Sequence, residues 1–205
     1  ALNMRRDTYL MYYLGIFIST ATTFQPLPMG ILVSVVMGII LTLPISSAAI
    51  CAMIFSTSAL EAAVANGTSE GFLLAGGAAT VGCCAQMIGF AVASYRENKL
   101  GGLISQGIGT SMLQFGNIMR RPVIWLPPTL ASAILGPIST AVLGMTNNAM
   151  GGGMGTSGLV GQFGAYSAMS ESFGSTETVV LIVIMHVIAP ALLSLVIHLA
   201  LKKLG

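Results

Sequence analysis

Residues 178–201, TVVLIVIMHVIAPALLSLVIHLAL, decide the fold class, because this stretch contains no Asp, Glu, Lys or Arg. A helix that crosses a bilayer needs about 20 mostly apolar residues. Similar apolar stretches recur upstream and predict further spans at 9–25, 28–45, 46–65, 71–95 and 122–145. The sequence therefore predicts an all-α integral membrane protein with about six transmembrane helices in one polytopic domain, 1–205.

The composition of the chain also favours a membrane environment. Hydrophobic residues make up 55% of the chain and charged residues only 7%, whereas about 25% of the residues in an average soluble domain are charged. The net charge of +2 is too small to indicate a nucleic-acid partner. Cys51, Cys83 and Cys84 lie in apolar runs and are expected to be buried free thiols, without a disulfide or a metal site. The expected partner is the lipid bilayer, and no cofactor is predicted.

The positions of the basic residues predict the orientation of the chain. Lys and Arg accumulate in short cytoplasmic loops. If the N-terminus is cytoplasmic and segment 100–118 does not cross the membrane, all eight basic residues lie on the cytoplasmic side: Arg5, Arg6, Arg96, Lys99, Arg120, Arg121, Lys202 and Lys203. A full crossing by this segment would divide them between the two sides. The charge pattern predicts cytoplasmic N- and C-termini, and a segment 100–118 that dips into the membrane and returns or lies on its surface.

Two glycine-rich segments carry more hydroxyls and amides than a lipid-facing helix tolerates. The first, at about 100–118, reads LGGLISQGIGTSMLQFGNI, and the second, at about 146–170, reads TNNAMGGGMGTSGLVGQFGAYSAMS. Non-helical backbone at membrane depth occurs only where it is buried in protein or lines a watery cavity. Both segments are therefore predicted to form re-entrant hairpins.

The two segments also resemble each other in sequence. GxGTS occurs at 107–111 and 153–157, and QFG follows at 114–116 and 162–164. Chance similarity in a glycine-rich chain is one explanation, and an inverted repeat is the other. Transporters often place the discontinuous helices of inverted repeats around a substrate site near the membrane midplane. On this interpretation the hairpins enter from opposite faces and share one ligand, and bulky changes at Gly109 or Gly155 block close backbone approach.

Other motif interpretations are weaker. Residues 153–158 match GxGxxG literally, but a dinucleotide site also needs a preceding strand and a βαβ unit. Glu61, in SALEAAV, and His186, in VIMHVIAP, are candidates for an ionisable role, because ionisable residues inside membrane spans are often functional. A solvated helix end for Glu61 and helix packing for His186 remain open alternatives. No catalytic site is recognised.

Four long stretches carry a resemblance to a known family. They are FQPLPMGILVSVVMGIILTLPISSAAI, AATVGCCAQMIGFAVASYRENKLGGLISQGIGTSMLQFGNI, WLPPTLASAILGPIST and GMGTSGLVGQFG. Over roughly residues 20–200 the chain resembles the IIC membrane subunits of the bacterial sugar phosphotransferase system, in a family also described as the perfringolysin O regulator type.

The resemblance implies a multi-pass protein of the bacterial plasma (inner) membrane that moves a sugar inward as a homodimer. Separate cytoplasmic phosphotransferase proteins would supply any phosphorylation, so the chain is at most the permease component of the system. Gly174-Ser-Thr176-Glu177 matches the Gly-x-Thr-Glu motif of sugar IIC proteins, which adds Glu177 as an ionisable candidate. Members of the family have a further hydrophobic region before the FQP stretch, so the chain is expected to be the C-terminal part of a longer protein.

These observations predict a transporter of a small polar solute such as a sugar, with the substrate site between the two hairpins. Hydroxyls and amides suit a neutral polyhydroxylated ligand. The predicted site residues are Gln86, Thr110, Ser111, Gln114, Asn147, Asn148, Thr156, Ser157 and Gln162. A membrane sensor that binds a small ligand without moving it, and a channel, are the alternatives that the sequence leaves open.

Overall fold

The computed structural model describes residues 2–204, with side chains described for residues 9–203, and no strand occurs in that range. Twelve α-helices follow one another along it: α1 Leu2–Phe24, α2 Pro26–Thr42, α3 Ser47–Ile54, α4 Thr57–Ala65, α5 Ser69–Ala93, α6 Tyr95–Ile104, α7 Phe115–Arg120, α8 Leu126–Pro137, α9 Ala149–Gly152, α10 Val160–Phe173, α11 Ser175–Val183 and α12 Ala189–Leu204. Short π-helical turns span Ser105–Gly109, Ile138–Val142 and Ile184–Ile188, and short 3-10 turns span Ser111–Gln114, Pro122–Trp125 and Ser157–Leu159. The predicted all-α class is confirmed for this part of the chain.

Four helical segments are long and apolar enough to cross a membrane: Ser47–Ala65, Ser69–Ala93, Pro122–Val142 and Ser175–Lys203. Each coincides with a predicted span, which agrees with a multi-pass membrane protein. The predicted span 28–45 corresponds to α2, an apolar helix of 17 residues. The predicted span 9–25 falls largely within α1, which has 23 residues. Crossing of the membrane by α1 and α2 stays a prediction.

Helix α5 is the central element of the bundle. Nearly all of its side chains are buried, and it packs against α1, α2, α8 and α12. At its middle the helices touch through their backbones, since a Cβ atom on Gly82 would overlap the carbonyl oxygen of Ser34 in α2. The Ser34 hydroxyl also donates to the carbonyl oxygen of Ser132 in α8, at 2.8 Å. Small residues permit such close approach in membrane bundles, as the glycines of this span predict.

The last long segment has a local change of helix type at its middle. Pro190 has no N–H to donate to the carbonyl group one turn earlier. The helix widens just before it into the π-turn Ile184–Ile188, which the backbone N–H of Ala189 closes by donating to Ile184. Turns of this kind often occur at functional sites. Here the π-turn carries His186, whose side chain is buried in the bundle.

Candidate functional site

The first glycine-rich segment folds as two helical arms joined by a break. Helix α6 and the π-turn lead to Gly109, and the return arm begins with the 3-10 turn at Ser111 and continues into α7. Between the arms Thr110 is extended, with φ −159° and ψ 140°. Its hydroxyl accepts a hydrogen bond from the backbone N–H of Met112 at 3.1 Å, which caps the return arm. We call residues 95–120 the first hairpin.

The second glycine-rich segment also has a broken backbone, but its details differ. The chain around Met145–Asn147 lies against Gly76 and Gly77 of α5, where a Cβ atom would meet the carbonyl oxygens of Asn147 and Met145 respectively. Helix α9, an irregular turn and α10 then follow, and we call residues 145–173 the second hairpin. Thr156 has φ −85° and ψ 2°, unlike the extended Thr110. The two GxGTS sequences therefore adopt different local conformations, and an inverted repeat stays a hypothesis.

The tips of the two hairpins touch each other. The hydroxyl of Ser157 donates a hydrogen bond of 2.9 Å to the carbonyl oxygen of Gly109. The start of α3 contacts the second hairpin here, because the Ser47 hydroxyl donates to the carbonyl oxygen of Gly153 at 2.7 Å. A cavity of about 160 Å³ lies at this junction, and Thr110, Ser157, Ser46 and Ser47 provide its hydroxyl groups. We call this region the hairpin junction.

Several predicted site residues hold buried polar atoms that have no hydrogen-bond partner. These are the hydroxyl oxygen of Ser111 and the amide oxygens of Gln86 and Gln162. A buried polar atom without a partner is unfavourable, and proteins seldom leave one unpaired without cause. Of these three residues only Ser111 and Gln162 lie in the hairpins, since Gln86 belongs to α5. Three similar atoms, on Trp125, Ser139 and Ser194, also lie outside the hairpins. An unpaired atom therefore marks a ligand site only where other polar groups converge, as they do in the hairpins.

The first hairpin contains a chain of side-chain hydrogen bonds. Asn117 Nδ2 donates to Gln114 Oε1 at 2.8 Å, and Gln114 Nε2 donates to Gln106 Oε1 at 2.9 Å. Gln106 Nε2 donates in turn to the hydroxyl of Ser94 at 3.0 Å. Gln114 was a predicted site residue, whereas Gln106, Asn117 and Ser94 were not. The signal for Gln106 and Asn117 was the clustering of amides within one glycine-rich segment, whereas Ser94 lies at the end of α5, outside that segment. Only the folded structure joins them into one network.

In the second hairpin, Asn147 already uses its side-chain amide. Its Nδ2 donates to the Thr80 hydroxyl at 2.6 Å and to the carbonyl oxygen of Gly161 at 2.9 Å, and its Oδ1 accepts from the N–H of Asn148 at 2.7 Å. The neighbouring Asn148 caps α9, because its Oδ1 accepts from the N–H of Gly151 at 2.9 Å. Asn147 therefore holds the second hairpin against α5, Asn148 stabilises the hairpin itself, and neither lines the cavity at the junction.

Gln162 and His186 form a second buried polar contact between elements. Gln162 Nε2 lies 3.3 Å from His186 Nδ1 and 3.5 Å from the sulfur of Cys84. Thr156 donates to the sulfur of Met87 at 3.5 Å, on the same face of α5. His186 is thus joined to a predicted site residue. Its burial and its one amide partner agree with a packing role as well as with a functional one.

The two candidate glutamates lie elsewhere. The side chains of Glu61 in α4 and Glu177 in the first turn of α11 are both exposed. Neither lines the cavity at the hairpin junction. The structure therefore does not bring either carboxylate to the junction.

A larger cavity lies behind the first hairpin, at the end of the bundle that carries basic residues. Its volume is about 570 Å³, and we call it the vestibule. It lies between the return arm of the first hairpin, the end of α5 and α12. Its polar lining consists of Ser94, Glu97, Asn98, Gln114, Asn117, Arg120, Arg121 and His198. An adjoining cavity of about 280 Å³ is lined by residues that include Arg96 and Lys202.

The vestibule and the adjoining cavity bring together basic residues from three distant parts of the sequence, as the charge pattern predicts. Arg96, Arg120 and Lys202 belong to three different helices and lie at one end of the bundle. The side chains of Arg5 and Arg6 lie outside the described residues.

Comparison with known proteins gives one match. The family described as "Phosphotransferase system, EIIC" matches residues 8–205, which is almost the whole chain. The searches of curated proteins and of solved structures gave no significant match. The helices that are apolar enough to cross a membrane agree with a family of membrane components in sugar transport. The chain belongs to the EIIC family of the phosphotransferase system.

Proposed function

We propose that the protein is a membrane transporter for a small polar solute, a sugar, and that the solute binds at the hairpin junction. The observation that carries this proposal is the contact between the two tips, with Ser157 Oγ 2.9 Å from the Gly109 carbonyl oxygen. Secondary transporters often form their substrate site where discontinuous helical segments meet. Family membership supports sugar as the solute class.

The chemistry of the junction suits a neutral polyhydroxylated ligand. It presents hydroxyl groups and no carboxylate among its described lining residues, so a ligand there would exchange hydrogen bonds without an ion pair. The cavity of about 160 Å³ is smaller than the roughly 300–1,000 Å³ of typical ligand pockets. We infer that the hairpin tips separate when solute enters and that Ser111, which has no partner in the closed arrangement, then gains one.

We further propose that the two hairpins are re-entrant, with the first opening from the cytoplasmic side. The basic residues around the vestibule support that side, because Lys and Arg favour cytoplasmic loops. Six crossings, cytoplasmic termini, a bacterial inner-membrane location and a homodimeric assembly complete the proposal. Phosphorylation would come from separate cytoplasmic proteins of the phosphotransferase system.

Ligand binding by two serine variants tests the location of the site. Equilibrium dialysis of the purified protein against a panel of labelled mono- and disaccharides first identifies a ligand, and Ser111→Ala is then compared with Ser139→Ala. Both serines are fully buried, and both hydroxyls lack a partner, but Ser139 lies outside the hairpins. Loss of a hydrogen bond to a buried ligand costs about 1–3 kcal/mol, which is roughly five- to 150-fold in affinity. We expect that loss for Ser111→Ala and none for Ser139→Ala; equal affinities would place the ligand elsewhere.

A further inference from the structure

The vestibule is large enough to hold a ligand of its own. Its volume of about 570 Å³ lies within the range of ordinary small-molecule pockets, about 300–1,000 Å³. It is separate from the hairpin junction, because the two cavities share no lining residue. Four α-helices, α5, α6, α7 and α12, contribute to it, so its shape depends on the fold and not on one loop.

The charges of the vestibule favour an anion. Arg120 and Arg121 contribute two permanent positive charges, and Glu97 is the one carboxylate among the described lining residues. No ion pair shorter than 4.0 Å forms between side chains of the described range 9–203, so Glu97 does not neutralise either arginine by direct contact. His198 of α12 also lines the vestibule, and Arg96 and Lys202 lie around the adjoining cavity. The net field therefore attracts negative charge.

The donor groups fit one anion class in particular. Guanidinium groups present planar pairs of N–H donors that match the oxygens of phosphate. Asn117, beside the two arginines on the same return arm, adds a neutral amide to the wall. Basic pockets between membrane helices at the cytoplasmic surface are also sites for phosphate-bearing lipid headgroups.

We propose that the vestibule binds a phosphate group, held by the guanidinium groups of Arg120 and Arg121 with Asn117 and His198 in the wall around it. The phosphate belongs either to a small soluble phosphate compound or to the headgroup of an anionic lipid. The same residues serve both sources, because the phosphate oxygens are the recognised feature. The site does not depend on solute binding at the hairpin junction, since no residue is common to both.

The test uses the full chain and two double variants with the same change in charge. Arg120→Gln/Arg121→Gln removes the two side chains proposed to bind phosphate. Lys99→Gln/Lys203→Gln removes two exposed charges that do not line the vestibule. Inorganic phosphate is titrated at constant ionic strength into protein in lipid-free detergent. Fluorescence of Trp125, the only tryptophan, reports the titration, because its neighbour Ile124 lines the cavity. In parallel, native mass spectrometry of protein from nanodiscs of mixed phosphatidylglycerol and phosphatidylcholine measures which lipid is retained.

A soluble phosphate is supported if the arginine variant weakens the binding of inorganic phosphate at least about tenfold and the lysine variant weakens it less than about twofold. A lipid headgroup is supported if the wild-type protein retains phosphatidylglycerol but does not bind inorganic phosphate, and if only the arginine variant loses that retention. If wild-type protein binds neither, or if both double variants behave alike, the proposal is wrong.

A further variant keeps the test valid if the arginine variant fails to fold. Glu97→Gln removes the carboxylate from the vestibule and should tighten binding of either probe several-fold. Glu70→Gln, an exposed glutamate that does not line the vestibule, should leave binding unchanged. Unchanged affinity in Glu97→Gln would also overturn the proposal.

Discussion

The hydroxyl of Ser157 lies 2.9 Å from the carbonyl oxygen of Gly109 and donates a hydrogen bond to it across the contact of the two hairpins. These residues are 48 positions apart in sequence, and each lies at the tip of its own broken helical segment. Ser157 and Thr110, the residue after Gly109, both line the small cavity of the junction. The hydrogen bond is therefore the contact that entry of a ligand between the tips would have to break.

Loss of this bond should loosen the tips without unfolding the protein. Ser157→Ala removes the donor, and a typical intramolecular hydrogen bond contributes about 0.5–1.5 kcal/mol. We expect faster amide hydrogen exchange at 105–114, measured by mass spectrometry, and little change in thermal unfolding. Ser167→Ala, an exposed serine in α10, is the control and should leave exchange at 105–114 unchanged. Exchange that is equally slow in both variants would mean that the bond does not hold the tips together.

Two glycines of the second hairpin should differ sharply in their tolerance of alanine. Gly155 and Gly158 have φ values of +53° and +54°, so alanine at either is strained by about 1–2 kcal/mol. A Cβ atom on Gly155 would also lie 2.8 Å from backbone and side-chain carbons of Cys83 in α5, whereas a Cβ atom on Gly158 has only Val160 Cγ2 nearby, at 3.9 Å. We expect Gly155→Ala to be less stable than Gly158→Ala by about 1–3 kcal/mol, the usual cost of overpacking.

Thermal unfolding in detergent measures this difference. The two substitutions share the backbone strain, so the difference between their melting temperatures isolates the contact with α5. Equal melting temperatures would show that the second hairpin does not pack against α5 at Gly155.

A second pair of glycine substitutions, one of them at the centre of the bundle, should change the stability of the protein in opposite directions. Gly82→Ala places a methyl group onto the carbonyl oxygen of Ser34, so α2 and α5 must separate and unfolding should occur at a lower temperature. Gly101→Ala, on the exposed side of α6, has no atom within 4 Å of its Cβ position and should raise helix stability by up to about 1 kcal/mol. A stable Gly82→Ala variant would contradict the close packing of these helices.

Accessibility of introduced cysteines tests the proposed orientation. Asn66→Cys, in the exposed turn after α4, should react with a membrane-impermeant maleimide on intact cells, and Arg121→Cys should react only after the membrane is opened. The native thiols of Cys51, Cys83 and Cys84 are fully buried and should give little background. Labelling of Arg121→Cys from outside would contradict a first hairpin that opens toward the cytoplasm.

Much of the helical architecture follows from the sequence, because hydrophobic length alone identifies a membrane span. The segment at 178–201 is an example, and it lies within the observed Ser175–Lys203. The boundaries at Pro26 and Pro122 also follow from the chain, since proline is favoured in the first turn of a helix. The π-turn around His186 does not, because a proline can kink, end or widen a helix with little difference in sequence.

The site is less predictable than the spans. The polarity of the glycine-rich segments is visible in the sequence, but which of their groups remain unpaired depends on contacts with distant residues. Asn147 and Gln86 are similar as amides, yet Asn147 is fully engaged by Thr80, Gly161 and Asn148, whereas Gln86 leaves its oxygen unpaired.

The expected sensitivity of Gly109 is a similar case. The sequence predicts that a bulky side chain there blocks close approach of the backbone to a ligand, as at Gly155. In the structure the nearest atom to a Cβ on Gly109 is the Ile104 carbonyl oxygen, at 4.0 Å, so the protein itself leaves room for alanine. Any effect of Gly109→Ala would therefore come from a ligand at the junction.

Counterflow of labelled sugars into proteoliposomes measures transport through the hairpin junction. We expect saturable exchange of at least one sugar by the wild-type protein, a higher half-saturation concentration for Ser111→Ala, and unchanged exchange for Ser139→Ala. Tight sugar binding without flux, under any driving force and with phosphorylated cytoplasmic partner proteins present, would contradict transport and indicate a protein that only senses its ligand.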